Sequence, residues 1–178
     1  MREPTHVLIA YDSRRGSVEQ LAHAVAAGAR DVENVEVVVK RVGDVTREDL
    51  LGCDGLAVGS PVHSGMVSVP VKQFFDDWQF RFDFYPDRPM DGRVGAVFVA
   101  GGQAAAGREP AMTMMLLAML HHRMLVVSGG GAVGASAVTE TKSEPVDSSE
   151  LQEARALGRR LAETARLVAA GRRVSAVP

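Results

Sequence analysis

Hydrophobic positions along the chain fall into two alternating patterns. Short apolar runs at His6–Tyr11, Val35–Val42, Gly55–Gly59, Val94–Ala100 and Met124–Val127 are rich in β-branched and small residues, the composition of strands. Between them, apolar residues recur at helical spacing over Val18–Ala29, Val69–Trp78 and Glu109–His121. A shorter helix is expected around Arg47–Leu51 and a long terminal one from Ser149 to Ala170. Strands separated by helices predict crossover units and a parallel sheet covered on both faces, with Val7–Ala10 and Val35–Val39 buried on both sides. Five such strands predict an α/β, doubly wound, five-stranded parallel sheet of order 2-1-3-4-5, with helices on both faces. One domain spanning residues 1–178 is the natural expectation for a chain of this length.

In such a sheet, ligands bind outside the carboxyl ends of the strands, where the strand order reverses. The loops after the first, third and fourth strands should therefore meet there. The first, Ser13-Arg-Arg-Gly-Ser-Val18, runs into a helix, whose unpaired backbone N–H groups attract an anion. Its serines and arginines add donors, and Gly16 permits a close turn. A single glycine here is not the three-glycine fingerprint of a dinucleotide site, so a mononucleotide phosphate fits better. The other two loops, Ser60–Met66 and Gly101–Gly107, are rich in glycine and small residues and could border a flat ring. Gly129-Gly-Gly-Ala-Val-Gly134 matches the dinucleotide spacing literally, but it follows the last predicted strand and precedes the polar, irregular stretch Ser136–Pro145 rather than a helix.

Composition narrows the classes. The chain is 46% hydrophobic with a net charge of −2, which supports a well-filled core and argues against a nucleic-acid partner. Cys53 is the one cysteine, no apolar stretch is long enough for a bilayer, and Met1-Arg-Glu-Pro-Thr5 has no apolar signal core. A cytoplasmic protein with no membrane partner and no metal site is expected. The methionines at 112, 114, 115 and 119 follow helical spacing and are expected in the core or a subunit contact. The aromatic run begins as a helix face at Phe74, Phe75 and Trp78 and ends as a contact surface over Phe80–Tyr85.

In order and spacing, several segments together resemble the flavodoxin-like superfamily, and within it the WrbA-type NAD(P)H:quinone oxidoreductases, which are FMN flavoproteins. They are Tyr11-Asp-Ser-Arg-Arg-Gly-Ser-Val18, Val37-Val-Val-Lys-Arg-Val42, Gly59-Ser-Pro-Val-His-Ser-Gly65, Gln73-Phe-Phe-Asp76, Leu120-His-His-Arg-Met124, Gly134-Ala-Ser-Ala137 and Ser149-Glu-Leu-Gln-Glu-Ala-Arg155. The resemblance implies that FMN is the cofactor, with Ser13, Arg14, Arg15, Gly16, Ser17 and Val18 around its phosphate. It implies that Ser60, Pro61, Val62, His63, Ser64 and Gly65 border one edge of the isoalloxazine, and Ala100, Gly101, Gly102, Gln103, Ala104 and Ala105 the other. His122 matches a histidine that approaches the flavin and would be the catalytic side chain, while Arg15 and Phe82 would meet the substrates. The implied reaction passes hydride from NADH or NADPH through the flavin to a quinone by a ping-pong sequence, in a homodimer or homotetramer. A flavodoxin-type electron carrier without nicotinamide-dependent activity is the alternative.

The chain also departs from the family pattern. His63-Ser-Gly-Met66 stands where the family has Arg-Phe-Gly-Asn, and Ala100-Gly-Gly-Gln-Ala-Ala105 where it has a run rich in threonine and serine. Hydroxyl donors are thereby lost, leaving backbone groups and Gln103 to serve the ring.

Overall fold

A computed structural model describes residues 3–129, 131, 133–139 and 145–175, with side chains to 172. The elements run β1 (Thr5–Tyr11), α1 (Ser17–Arg30), β2 (Val35–Arg41), a 3-10 turn (Val42–Asp44), α2 (Arg47–Gly52), β3 (Gly55–His63), β4 (Met66–Val67), α3 (Val69–Phe80), β5 (Val94–Gly101), α4 (Arg108–His121), β6 (Leu125–Val126), β7 (Ala135–Val138) and α5 (Ser148–Ser175). The sheet order is β2-β1-β3-β5-β6, with β7 also pairing β5 and all of these pairs parallel. Counted by position, this is the expected 2-1-3-4-5 arrangement of a flavodoxin-like fold. Two details depart from expectation. The short β4 folds back on β3 as an antiparallel hairpin. The outermost strand is split, because β6 pairs Val94–Gly95 and β7 pairs Phe98–Gly101.

The split corrects the reading of residues 124–145. Met124 and Val127 lie outside the strand, and Ser136–Val138, expected to be irregular, form with Ala135 the strand β7 that extends the sheet. Small residues there pack on β5: a Cβ at Gly134 would sit 2.3 Å from the Val97 carbonyl oxygen. Gly134 therefore serves close packing, and no helix follows it. Gly130, Ala132 and residues 140–144 of the same stretch lie outside the described residues.

Two apolar clusters sandwich the sheet. On one side Val7, Ile9, Phe98 and Ala57 pack with Leu21 and Val25 of α1 and Leu157 and Leu161 of α5. On the other, Leu8, Leu56 and Val97 pack with Leu50 of α2, Phe74 and Trp78 of α3, and Met112, Met115 and Met119 of α4. β1 is buried on both faces from Val7 onward, as its unbroken apolar run requires. β2 is an edge strand with alternating exposure, Val38 being 47% exposed, so the expectation of burial on both sides fails there. Its valines suit a half-covered pleat equally well, and apolar composition alone cannot separate the two.

Local chemistry sets the helix ends. Thr46 and Asp49 form a reciprocal capping box on α2. Pro70 occupies the first turn of α3, where its missing N–H costs nothing. Among the described residues no helix is long and apolar enough to cross a membrane.

Candidate functional site

The parallel register brings the carboxyl ends of β1, β3 and β5 level: Tyr11 stands opposite Gly59, and Pro61 opposite Ala100. Beyond them opens a crevice of about 340 Å³, lined by Ser13, Arg14, Arg15, Ser17, Val18, Pro61, Val62, His63, Ala100, Gly101, Gly102 and Thr139. Its size falls in the range of small-molecule sites.

The first wall is built by the loop between β1 and α1. The Asp12 N–H donates to the Gly59 carbonyl (3.0 Å), so the chain leaves the sheet alongside β3. Ser13 Oγ then accepts from the N–H groups of Gly16 (3.1 Å) and Glu19 (3.3 Å), while Arg41 donates to the Ser13 carbonyl (2.9 Å). With both lone pairs taken, the Ser13 hydroxyl keeps its hydrogen for a ligand. Gly16 sits at φ +94°, a left-handed conformation that makes glycine the fitting residue although space there is open. It caps α1, and among the described residues the N–H groups of Ser17 and Val18 find no acceptor.

Charge reinforces this geometry. Glu19, in the first turn of α1, is turned aside: it accepts from the Tyr11 hydroxyl (2.7 Å) and faces Arg41 at 3.5 Å. Burial and this bond raise the Tyr11 pKa above its ordinary value, against the pull of Arg41. Arg14 and Arg15 are exposed and carry no ion pair among the described residues. Two guanidinium groups and two helix N–H groups that have no partner among the described residues suit this end of the crevice to an anion.

The second wall is not the loop expected after Gly59. Strand β3 continues to His63, and Ser64 (φ +52°) and Gly65 (φ +79°) make a two-residue turn into β4, the geometry of a tight hairpin. Pro61, Val62 and His63 face the crevice from strand rather than loop. Ser60 is fully buried beneath them; its hydroxyl donates to the Pro61 carbonyl (2.8 Å) and accepts from the Ser68 N–H (2.9 Å), fixing the hairpin base.

The third wall is Ala100, Gly101 and Gly102, whereas Gln103, Ala104 and Ala105 are exposed and lie beyond the lining. Gly107, at φ +85°, brings this loop onto the hairpin tip, where a Cβ would sit 2.7 Å from the Gly65 Cα. Arg108 clips the loop to β7, donating to Ser136 Oγ (2.9 Å) and the Ala104 carbonyl (3.3 Å). Thr139, which follows β7, also lines the crevice. Nothing in the sequence marks it, because Ala135–Val138 carries too few large apolar residues to signal a strand.

His122 and Phe82 do not line the crevice. His122 is the C-cap of α4, 5% exposed, with its ring 5.0 Å from that of Trp78. It borders a separate groove between α3 and α4, with Phe75, Met114, Met115, Leu117 and His121. Burial, with the nearby His121 and Arg88 charges, lowers its pKa to about 4. Phe82 is buried against Phe84, so the exposed aromatics of this segment are Phe80 and Tyr85.

A family model described as NADPH-dependent FMN reductase matches residues 5–138. A protein named flavodoxin from Aquifex aeolicus is 37% identical over 171 residues, covering 94% of this chain and 90% of its own length. An NAD(P)H dehydrogenase (quinone) from Acidithiobacillus ferrooxidans is 29% identical over 129 residues, covering 61% of this chain and 63% of its own length. Among solved structures, a WrbA-like flavodoxin from Agrobacterium tumefaciens superposes with a TM-score of 0.78 at 22% identity, covering 92% of this chain and 98% of that one. A flavodoxin from the domain Archaea gives 0.73 at 23% identity, covering 91% and 99%. At those identities the structural likeness speaks for the fold.

Proposed function

The chain belongs to the NADPH-dependent FMN reductase family, and on that premise we propose that it is an FMN-dependent oxidoreductase carrying two electrons from NADH or NADPH to a quinone. The observation that carries the proposal is the anion cradle at the start of α1, opening on a crevice whose other walls are Pro61, Val62 and His63 and Ala100, Gly101 and Gly102. The Ser17 and Val18 N–H groups, the Ser13 and Ser17 hydroxyls and the Arg14 and Arg15 guanidinium groups suit the phosphate of FMN. Pro61, Val62 and His63 on one side and Ala100, Gly101 and Gly102 on the other would border the isoalloxazine. FMN, when bound, supplies hydride exchange between a nicotinamide nucleotide and a quinone.

The chain's own part is position and electrostatics. Among the described lining residues only His63 has an aromatic ring, so a flat ligand would keep a face open for a second planar molecule. That favours a reductase exchanging substrates at one site. Gly101 and Gly102 let backbone polar groups approach the ring edge, where they can stabilise developing charge. Arg15, exposed at the rim, would hold both the FMN phosphate and the incoming nucleotide. His122 and Phe82 would reach a bound flavin only with rearrangement or from a second copy. In a homodimer or homotetramer, the aromatic side chains available to close a neighbour's pocket are Phe80 and Tyr85, 75% and 53% exposed.

The 37% relative named flavodoxin favours a second reading, an electron carrier docking to protein partners. One experiment separates the two. FMN binding is measured by quenching of flavin fluorescence, then NADH and NADPH oxidation is followed with benzoquinone. Binding with nicotinamide-dependent quinone reduction supports the reductase; binding without nicotinamide oxidation supports the carrier; absence of flavin binding at micromolar concentration refutes both.

A further inference from the structure

Thr139 stands at the end of β7, and its N–H donates to the Gly101 carbonyl at 3.0 Å, one step beyond the last ladder pair, Gly101 with Val138. Its hydroxyl lies 3.0 Å from the Ser17 hydroxyl, across 122 residues of sequence. Both residues line the crevice, and both are nearly buried, at 8% and 9% exposure. The pair joins the anion loop to the far edge of the sheet.

Either hydroxyl could donate in this bond, and hydrogen counting shows what it leaves over. Two hydroxyls carry two hydrogens, and one is consumed between them, leaving one for a ligand. Ser17 is the first residue of α1 and its own N–H is free among the described residues. If Thr139 donates to Ser17, the Ser17 O–H and N–H are both available to the same anion, and the chain Thr139–Ser17–anion polarises along its length. The stiff χ1 of a β-branched residue anchored to the sheet fixes where the Thr139 Oγ1 stands against Ser17.

We propose that Thr139 is a positioning residue for phosphate recognition: its hydroxyl donates to Ser17 Oγ and aims the Ser17 hydrogen at the phosphoryl group of the flavin nucleotide. This inference rests on the FMN reading above. It assigns to residue 139 a share in telling FMN from riboflavin, which has the same ring and no phosphate.

The test is the equilibrium affinity for FMN and for riboflavin, by fluorescence quenching, of the wild type, Thr139→Val, Thr139→Ser, Ser17→Ala and the Ser17→Ala/Thr139→Val double variant, with Tm recorded for each. Thr139→Val is expected to weaken FMN roughly three- to tenfold, the net worth of the one neutral hydrogen bond that orients Ser17, and to leave riboflavin unchanged. Thr139→Ser should retain most of the FMN affinity, and Thr139→Val should add little once Ser17 is alanine. A preference for FMN over riboflavin as large in Thr139→Val as in the wild type overturns this inference alone, as does an equal loss for both flavins. A wild type that binds neither flavin overturns the FMN reading and this inference with it.

Discussion

Two glycines bring α1 and α5 into close contact, and replacing either should destabilise the fold although helix propensity predicts the reverse. A Cβ at Gly158 of α5 would sit 1.8 Å from the Val25 carbonyl oxygen on α1, and a Cβ at Gly28 of α1 would sit 1.8 Å from the Arg155 carbonyl oxygen on α5. Ordinary contact begins at 3.4 Å, so a single methyl requires the helices to part by roughly 1.5 Å in an otherwise close-packed layer. Neither obstacle is a flexible side-chain tip; both are helix backbone. Overpacking of this kind costs about 1–3 kcal/mol, and a rigid backbone pair belongs at the upper end. Alanine regains about 1 kcal/mol of helix propensity. The net effect of Gly158→Ala is therefore a loss of about 2 kcal/mol, which in a chain of this size lowers Tm by about 4–8 °C. Gly171, on the same helix, provides the control: among the described residues a Cβ there meets nothing within 4 Å, so Gly171→Ala should be neutral or slightly stabilising. Thermal unfolding by circular dichroism measures all three variants. A Gly158→Ala protein as stable as the wild type, or more so, would refute the close-contact argument. Because the two glycines share one crossing, the double variant Gly28→Ala/Gly158→Ala should lose less than the sum of the singles.

Burial and the neighbouring His121 and Arg88 charges hold His122 at about 4, so the neutral ring is the folded form. Below pH 6.5 the unfolded chain takes up a proton that the folded chain refuses, and stability falls by no more than about 1.4 kcal/mol per pH unit down to pH 4. Urea midpoints at pH 7, 6 and 5 should therefore drop more steeply in the wild type than in His122→Gln, and parallel profiles would contradict this. Burial pushes the Cys53 thiol up to about 12, and its Sγ donates to the Leu50 carbonyl at 3.3 Å. A thiol reagent at pH 8 should label it only as fast as the protein opens, and rapid stoichiometric labelling of the native protein would show the site is accessible. Gly107→Ala strains a residue at φ +85° and drives a Cβ into Gly65. It should weaken FMN and riboflavin alike because it displaces a ring wall, whereas Arg15→Ala should weaken FMN alone. Equal selectivity in the two variants would argue against separate phosphate and ring walls.

Much of this architecture is legible in the order of residues, because period and turn chemistry are local. The unbroken apolar run Val7–Ala10, the polar loop with Gly16, and the helical spacing from Val18 suffice to place a strand, a tight turn and a helix N-terminus with free donors. A regular alternation of strands and helices then implies the sheet order and the edge on which the loops converge. What depends on partners distant in sequence is decided only by the tertiary structure. Whether valines in β2 are covered on one face or two depends on the strand's place at the sheet edge. The short run Ala135–Val138 is a strand because Phe98–Gly101 offers it a ladder, a contact that small residues cannot announce on their own. That ladder carries Thr139 to Ser17 and completes the crevice. The same packing takes His122 and Phe82 out of its lining, since their position follows from how α3, α4 and the 79–93 segment pack together. Local pattern determines the elements and the edge where they meet; close packing among distant segments decides which side chains stand there.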